Sequence, residues 1–252
     1  MYDLDDILNT IIQGDCTEEL KKFPDNFIDC VVTSPPYGVG KSYEKSNKEG
    51  KTWLLHAVWL WYLTMRELSR VIKPGGYIVW NFGDNGYGKQ IVGTETLTTI
   101  PMSVYMWSIG QKVGLELQAT RIWRKQFAAM PKPFYLNHHP RPVFDYEHIW
   151  TFRKRDGTGR EIVNEHKIGR RGVWDFTSGS RAGLKNHPGA FTIELPMSAI
   201  EVYTRPGAIV LDPFMGSGTT ALAAKSMGRN YIGIELNQEY AEMARIRILS
   251  VK

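Results

Sequence analysis

Short β-branched runs that end in polar residues recur along this chain, and they fix the architecture it can adopt. Ile11-Ile12-Gln13-Gly14-Asp15, Ile28-Asp29-Cys30-Val31-Val32-Thr33, Ala208-Ile209-Val210-Leu211-Asp212 and Tyr231-Ile232-Gly233-Ile234-Glu235 all have this form. Runs of this kind read as buried parallel strands. Helical stretches lie between them, over about 53–72 (stopped by Lys73-Pro74-Gly75-Gly76), 101–113 (ended by Gly114), 192–203 and 219–227 (closed by Gly228). Asn237 can cap a last helix that runs to about residue 249. Further strands are expected over 77–82, 115–123 and 147–152. Strands that alternate with helices imply an α/β fold with a mostly parallel sheet covered on both faces.

The chain of 252 residues is long enough for one such unit with a sizeable core, so 1–252 is read as a single domain. Met1-Tyr2-Asp3-Leu4-Asp5-Asp6 opens acidic with no apolar stretch behind it, and no segment has the length and apolarity of a bilayer span. Two cysteines, Cys16 and Cys30, with no CxxC or Cys/His cluster, suggest neither a metal site nor a disulfide framework. A cytoplasmic setting without a membrane partner is the expectation. The net charge of +5 is concentrated in one place. From Arg153 to Lys185, nine basic residues face four acidic ones, a surplus equal to that of the whole chain. A solvated loop would account for such a run, and so would a surface that contacts phosphates.

Leu211-Asp212-Pro213-Phe214-Met215-Gly216-Ser217-Gly218-Thr219-Thr220 reads as a strand, a glycine-rich turn and the start of a helix, with Ser217 or Thr219 available as cap. Glu235 ends the next strand nineteen positions after Gly216, where an acid can accept hydrogen bonds from the two hydroxyls of a ribose. No Lys-Ser/Thr pair follows the glycines, as a phosphate-binding loop would need. The pattern suits a nucleoside without phosphates, such as S-adenosylmethionine. Asp15, which closes the first strand, is a third candidate contact, and it is equally placed to cap a helix that begins with Thr17-Glu18-Glu19.

Thr33-Ser34-Pro35-Pro36-Tyr37 follows a buried strand directly and therefore lies at a sheet edge, where α/β proteins bind ligands. Two prolines hold the backbone, so the carbonyls before and between them, with the Ser34 hydroxyl, form a rigid acceptor set for an NH₂ group. Hydrogen bonds there would turn an amine lone pair toward an incoming methyl without a covalent intermediate. Tyr37 offers a face on which a base could stack after leaving a duplex.

These two motifs, with Ile232-Gly233-Ile234-Glu235 and Asn186-His187-Pro188-Gly189-Ala190-Phe191, resemble the β-group of amino DNA methyltransferases, in which the catalytic motif precedes the cofactor glycine loop. The resemblance runs from Asp15 to about Arg247. It implies a circularly permuted Rossmann-like methyltransferase fold, with a seven-stranded sheet containing one antiparallel strand. It also implies a catalytic region over 1–154, a short basic target-recognition insertion over about 155–185, and a cofactor region over 186–252. S-adenosylmethionine would be held at Asp15, Thr33, His187, Pro188, Asp212, Phe214, Gly216, Ser217, Gly218, Thr219 and Glu235. Ser34, Pro35, Pro36 and Tyr37 would carry catalysis. Arg160, Lys167, Arg170, Arg171 and Arg181 would contact double-stranded DNA, mostly at phosphates. A homodimer and a cognate restriction enzyme are the further partners that it suggests.

Ser-Pro-Pro-Tyr resembles the N4-cytosine members, whereas Asp- or Asn-Pro-Pro-Tyr is commoner among N6-adenine members. N4 of cytosine is therefore the expected target, with N6 of adenine second. C5 methylation needs a cysteine nucleophile in a Pro-Cys setting, which neither Cys16 nor Cys30 has. Methylation of RNA or a protein amide fits the motif order less well. A DNA-binding subunit without activity would not require both motifs intact.

Overall fold

A computed structural model describes residues 2–37, 50–87, 98–126, 145–155, 167–177 and 192–250. Its strands are β1 (Thr10–Gln13), β2 (Ile28–Thr33), β3 (Ile72–Phe82), β4 (Asn85–Tyr87), β5 (Thr98–Ile100), β6 (Glu116–Gln126), β7 (Tyr146–Arg153), β8 (Val173–Thr177), β9 (Ile209–Asp212) and β10 (Asn230–Glu235). Its α-helices are α1 (Leu4–Ile7), α2 (Cys16–Glu19), α3 (Gly50–Val71), α4 (Met102–Lys112), α5 (Glu194–Tyr203), α6 (Thr219–Ser226) and α7 (Gln238–Leu249). The expected helices and strands of the two motif regions fall where the sequence pattern puts them. Asn237 caps α7 by accepting from the Glu239 and Tyr240 amides. Among the described residues no helix is long and apolar enough to cross a membrane.

Among the described residues eight strands form one sheet in the order β1-β10-β9-β2-β3-β7-β6-β8, and β4 pairs with β5 in a separate two-stranded sheet. Of those eight, β7 alone runs against the others, since it pairs antiparallel with both β3 and β6. Seven of these strands match the expected sheet. The eighth, β8, lies inside the basic segment read as an insertion, and it pairs parallel with β6 at the outer edge. Val173-Trp174-Asp175-Phe176-Thr177 alternates as an edge strand does, with Trp174 buried and the Trp123 indole donating to the Phe176 carbonyl.

One face of the sheet packs on Leu20 and Phe23, on Trp61, Met65 and Leu68 of α3, and on Met102, Met106 and Ile109 of α4. The other packs on Leu195 and Ile200 of α5, the alanines of α6, and Ala241, Ala244 and Ile248 of α7. Burial at this scale, at roughly 25 cal/mol per Å² of apolar surface, supplies most of the drive to fold. Winding reverses between β9 and β2, because α6 carries the chain from β9 to β10 on one side and α3 carries it from β2 to β3 on the other. The crevice beyond the carboxyl ends of strands at such a switch point is where open α/β sheets take ligands.

Candidate active site

Both motifs meet at that switch point. β9 ends in Asp212 and β2 ends in Thr33, and the Thr33 hydroxyl donates to Asp212 Oδ1 at 2.6 Å across 179 positions of sequence. The same oxygen accepts the Phe214 amide at 3.0 Å, and Oδ2 accepts the Thr220 hydroxyl at 2.7 Å. Asp212 is fully buried, and burial pushes its carboxyl up to about 6 against these three donors, with the nearby Glu235 charge adding to the rise. With both oxygens taken, its carboxylate serves the site by joining the glycine loop to the Ser34 motif.

The glycine loop is closed on itself. The Met215 amide donates to the Ile234 carbonyl, the Gly218 amide to the Met215 carbonyl, and the Gly216 amide to Glu235 Oε2 at 2.7 Å. Gly218 has φ 84°, and a Cβ there would lie 2.8 Å from Ala244 Cβ of α7, so only glycine fits. The helix cap expected from Ser217 or Thr219 is therefore absent: Gly218 itself is the N-cap, without a side-chain bond. Ser217 is buried, and the Arg247 guanidinium donates to its hydroxyl at 2.9 Å and also to its carbonyl. Burial holds the Arg247 pKa below its ordinary value. Thr219 is buried as the first residue of α6, whereas Phe214 is half-buried with its ring edge-on to Trp80.

Glu235 lies at the end of β10 with Oε1 accepting the Asn237 amide at 2.9 Å. Burial raises its pKa, which those amide bonds partly oppose. These backbone bonds leave lone pairs on the carboxylate for further donors. Asp15 lies on the same edge, since Gln13 pairs with Glu235 in register and the Gly14 amide donates to the Glu235 carbonyl. It is exposed and caps α2, with Oδ1 accepting the Thr17 amide at 2.8 Å and the Thr17 hydroxyl at 2.7 Å. His187 and Pro188 lie outside the described residues.

The donor set suits a nucleoside. Three amides of the glycine loop are spent on partners inside the protein, so they do not converge on an anion as those of a phosphate loop do. An acidic side chain at the edge would repel a phosphate and accept from a ribose. The residues present thus fit S-adenosylmethionine, which carries an adenosine and no phosphate.

Ser34 and Tyr37 sit one strand away and face a polar cluster that the sequence pattern did not reveal. Ser34 Oγ lies 2.8 Å from Tyr37 Oη. Tyr37 Oη also reaches Glu147 Oε2 at 3.1 Å and Asn81 Oδ1 at 3.2 Å. Asn81 is buried at the end of β3, and its amide donates to the His148 carbonyl at 3.0 Å. Glu147 Oε1 pairs with Lys125 Nζ at 2.5 Å. Behind the prolines the Trp61 indole donates to the Pro36 carbonyl at 2.9 Å, pinning the motif to α3. A polar Asn81 inside Tyr77-Ile78-Val79-Trp80-Asn81-Phe82 was the one signal of this cluster in the sequence. Glu147 and Lys125 become its members only through strand register.

Cys30 is fully buried, and burial pushes its thiol far up, while that of Cys16 rises to about 12, so both stay protonated. Arg170, which ends a turn over Lys167–Arg170, and Arg171 directly after it are exposed ahead of β8. That turn packs against the C-terminal end of α5, where Gly169 meets Val202 and its carbonyl accepts from Arg121 at 2.7 Å. The structure does not bring this pair beside Ser34. Lys167 opens the turn, and Arg160 and Arg181 lie outside the described residues.

A family model described as DNA methylase, of the N6/N4 type, matches residues 28–245. The chain belongs to this DNA methylase family. Among curated relatives it is 29% identical over 275 residues to the orphan methyltransferase M.BamHII of Bacillus amyloliquefaciens, covering 93% of this chain and 90% of that protein. It is also 29% identical over 259 residues to the type II β methyltransferase M.BslI of Bacillus sp. strain NEB-606, covering 95% of this chain but only 27% of that longer protein. Among solved structures, TTHA0409 of Thermus thermophilus, in complex with S-adenosyl-L-methionine, superposes with a TM-score of 0.71 at 26% identity, covering 95% of this chain and 93% of that one. This methylase thus shares its fold with a protein solved with that cofactor.

Proposed function

We propose that this DNA methylase transfers the methyl group of S-adenosylmethionine to N4 of a cytosine in double-stranded DNA, at a base turned out of the helix. The observation that carries the reading is the Thr33–Asp212 hydrogen bond of 2.6 Å, which holds the amine-accepting motif against the glycine loop. When bound, the cofactor supplies an electrophilic methyl on a sulfonium. The protein's residues do the rest by position. Glu235 accepts from the ribose hydroxyls, and Asp15 lies beside it on the same sheet edge. Gly216 and Gly218 give the backbone a close approach to the ligand.

At the other half of the site, the Ser34 hydroxyl and the carbonyls of Ser34 and Pro35 accept from the NH₂ group. An amine whose hydrogens are so engaged keeps its lone pair aimed at the methyl, and alignment of this kind is worth several powers of ten in rate. The Tyr37 ring, tethered through its hydroxyl, offers a stacking face for the base. Ser34 favours cytosine, because Asp or Asn commonly takes its place in enzymes that methylate adenine.

The test is incubation of the purified chain with labelled S-adenosylmethionine and duplex DNA, followed by digestion to nucleosides and identification of the methylated base by mass. N4-methylcytosine is the expected product. N6-methyladenine would overturn the choice of base, and absence of label from every DNA would overturn the substrate class.

A further inference from the structure

We infer that Glu147 is a positioning residue for methyl transfer: acting through Tyr37, it turns the Ser34 hydroxyl hydrogen away from the target amine and leaves Ser34 an acceptor. The inference rests on the function proposed above and concerns a residue outside both motifs.

A phenol has one proton to give. Around Tyr37 Oη stand Ser34 Oγ at 2.8 Å, Glu147 Oε2 at 3.1 Å and Asn81 Oδ1 at 3.2 Å. The Asn81 amide is oriented by its own bond, since Nδ2 donates to the His148 carbonyl and so turns Oδ1 toward Tyr37. An amide oxygen and a carboxylate can only accept. Either of these two can take the Tyr37 proton, and toward Ser34 the phenol oxygen then presents a lone pair. Ser34 then donates to Tyr37.

This direction matters for the chemistry. A serine whose hydrogen is committed to Tyr37 offers only lone pairs to a base, which is what an NH₂ group requires. A serine free to point its hydrogen outward would instead meet the amine lone pair, the electrons that must form the new N–C bond. Glu147 enforces the first state more strongly than Asn81 can, because a charged acceptor forms the stronger bond. Its carboxylate is also held in place. Lys125 Nζ pairs with Oε1 at 2.5 Å, and the two side chains are only 24% and 13% exposed, so Oε2 is the oxygen left to face Tyr37.

The deciding measurement is a double-mutant cycle in steady-state methyl transfer to DNA, using the full chain. Glu147→Gln preserves size, but Lys125 draws the amide oxygen to itself and an NH₂ then faces Tyr37. Its kcat should fall about 10-fold with the KM for cofactor and DNA nearly unchanged, the signature of a loss confined to the transition state. In a Ser34→Ala background the same change should cost less than about twofold, because Glu147 acts only through that hydroxyl. Full, multiplicative losses in both backgrounds would overturn the inference, as would an unimpaired E147Q enzyme. If E147Q no longer binds cofactor, Lys125→Met loosens the same chain from its far end. It should lower kcat severalfold in the wild-type background and not in S34A, and any other pattern counts against the idea. A wild-type chain inactive on every DNA would sink the proposed function and this inference with it. Wild-type activity with an indifferent E147Q sinks the inference alone.

Discussion

The glycine loop and the Ser34 motif share one sheet edge and one connecting hydrogen bond, yet they are held by different means. The loop is locked from within the protein. Asp212, Ser217 and Thr220 are buried, their polar atoms are bonded to Thr33, Phe214, Arg247 and one another, and Gly218 sits against α7 with no room for a side chain. The Ser34 motif is clamped from behind by Trp61, while its front is a half-buried cluster of hydroxyl, amide, carboxylate and ammonium. A rigid, internally bonded loop suits a cofactor that is the same at every turnover. An accessible polar front suits a base that must enter, be aligned and leave. Substitutions should divide accordingly, into losses of rate at one pole and losses of stability at the other.

The largest effect is expected at the front. Ser34→Ala removes one acceptor of the target amine and should lower kcat about 100-fold or more, by comparison with the loss of one preorganised hydrogen bond at other active sites. Its melting temperature and cofactor affinity should match wild type. A drop in both would mean that Ser34 is a structural residue and would erase the distinction between the poles.

Asp212→Ala reverses the pattern. It strips acceptors from the Thr33 hydroxyl and the Phe214 amide and leaves the Thr220 hydroxyl only the Val32 carbonyl at 3.3 Å, and each unsatisfied buried donor costs about 1–3 kcal/mol. A destabilisation of roughly 3 kcal/mol in urea unfolding is the expected outcome. Gly218→Ala should follow at roughly 1–3 kcal/mol, from a left-handed backbone and a contact of 2.8 Å with Ala244.

Asp212 sharpens the comparison further through pH. Its carboxyl titrates at about 6 in the fold against an ordinary 3.8, so folding favours the protonated form. The stability this group contributes is complete below its unfolded value and is lost as pH rises through about 6. Asp212→Asn cannot ionise, and its NH₂ can donate to Thr220, whose hydroxyl also lies 3.3 Å from the Val32 carbonyl. The difference in melting temperature between wild type and D212N should therefore shift in favour of the variant from pH 4 to pH 7 and then level off. A difference that does not change with pH would place the ionisation elsewhere.

The same contrast explains what could be read in the sequence. The glycine loop and its acid are contiguous or separated by one helix, so local pattern suffices to find Asp212, Gly216, Gly218 and Glu235. The parallel sheet follows from the β-branched runs for the same reason. The polar front is assembled across β2, β3, β6 and β7, and no spacing in the chain announces that Tyr37, Asn81, Lys125 and Glu147 converge. Register does that, and register depends on the whole sheet. One strand is legible only with the fold in hand: Val173–Thr177 lies within the basic segment over 155–185, and its alternating Trp174 and Phe176 extend the sheet along β6.

The smallest effect is expected in the basic segment that the family resemblance assigns to DNA. Arg170 and Arg171 are exposed, but their turn packs on the C-terminal end of α5 and not beside Ser34. If they touch DNA, they do so at phosphates flanking the target, where each neutralised phosphate contributes about 0.9 to the slope of log K against log salt. Replacing both with alanine should then flatten that slope by up to about 2 while leaving kcat at saturating DNA and the choice of base unchanged. An unchanged slope would remove the pair from the interface and shift the search for phosphate contacts to the carboxyl end of β8, which pairs with β6 out to Gln126 and Thr177. A change in base preference would do the opposite, making the turn a reader of sequence and joining it functionally to a pole from which the fold separates it.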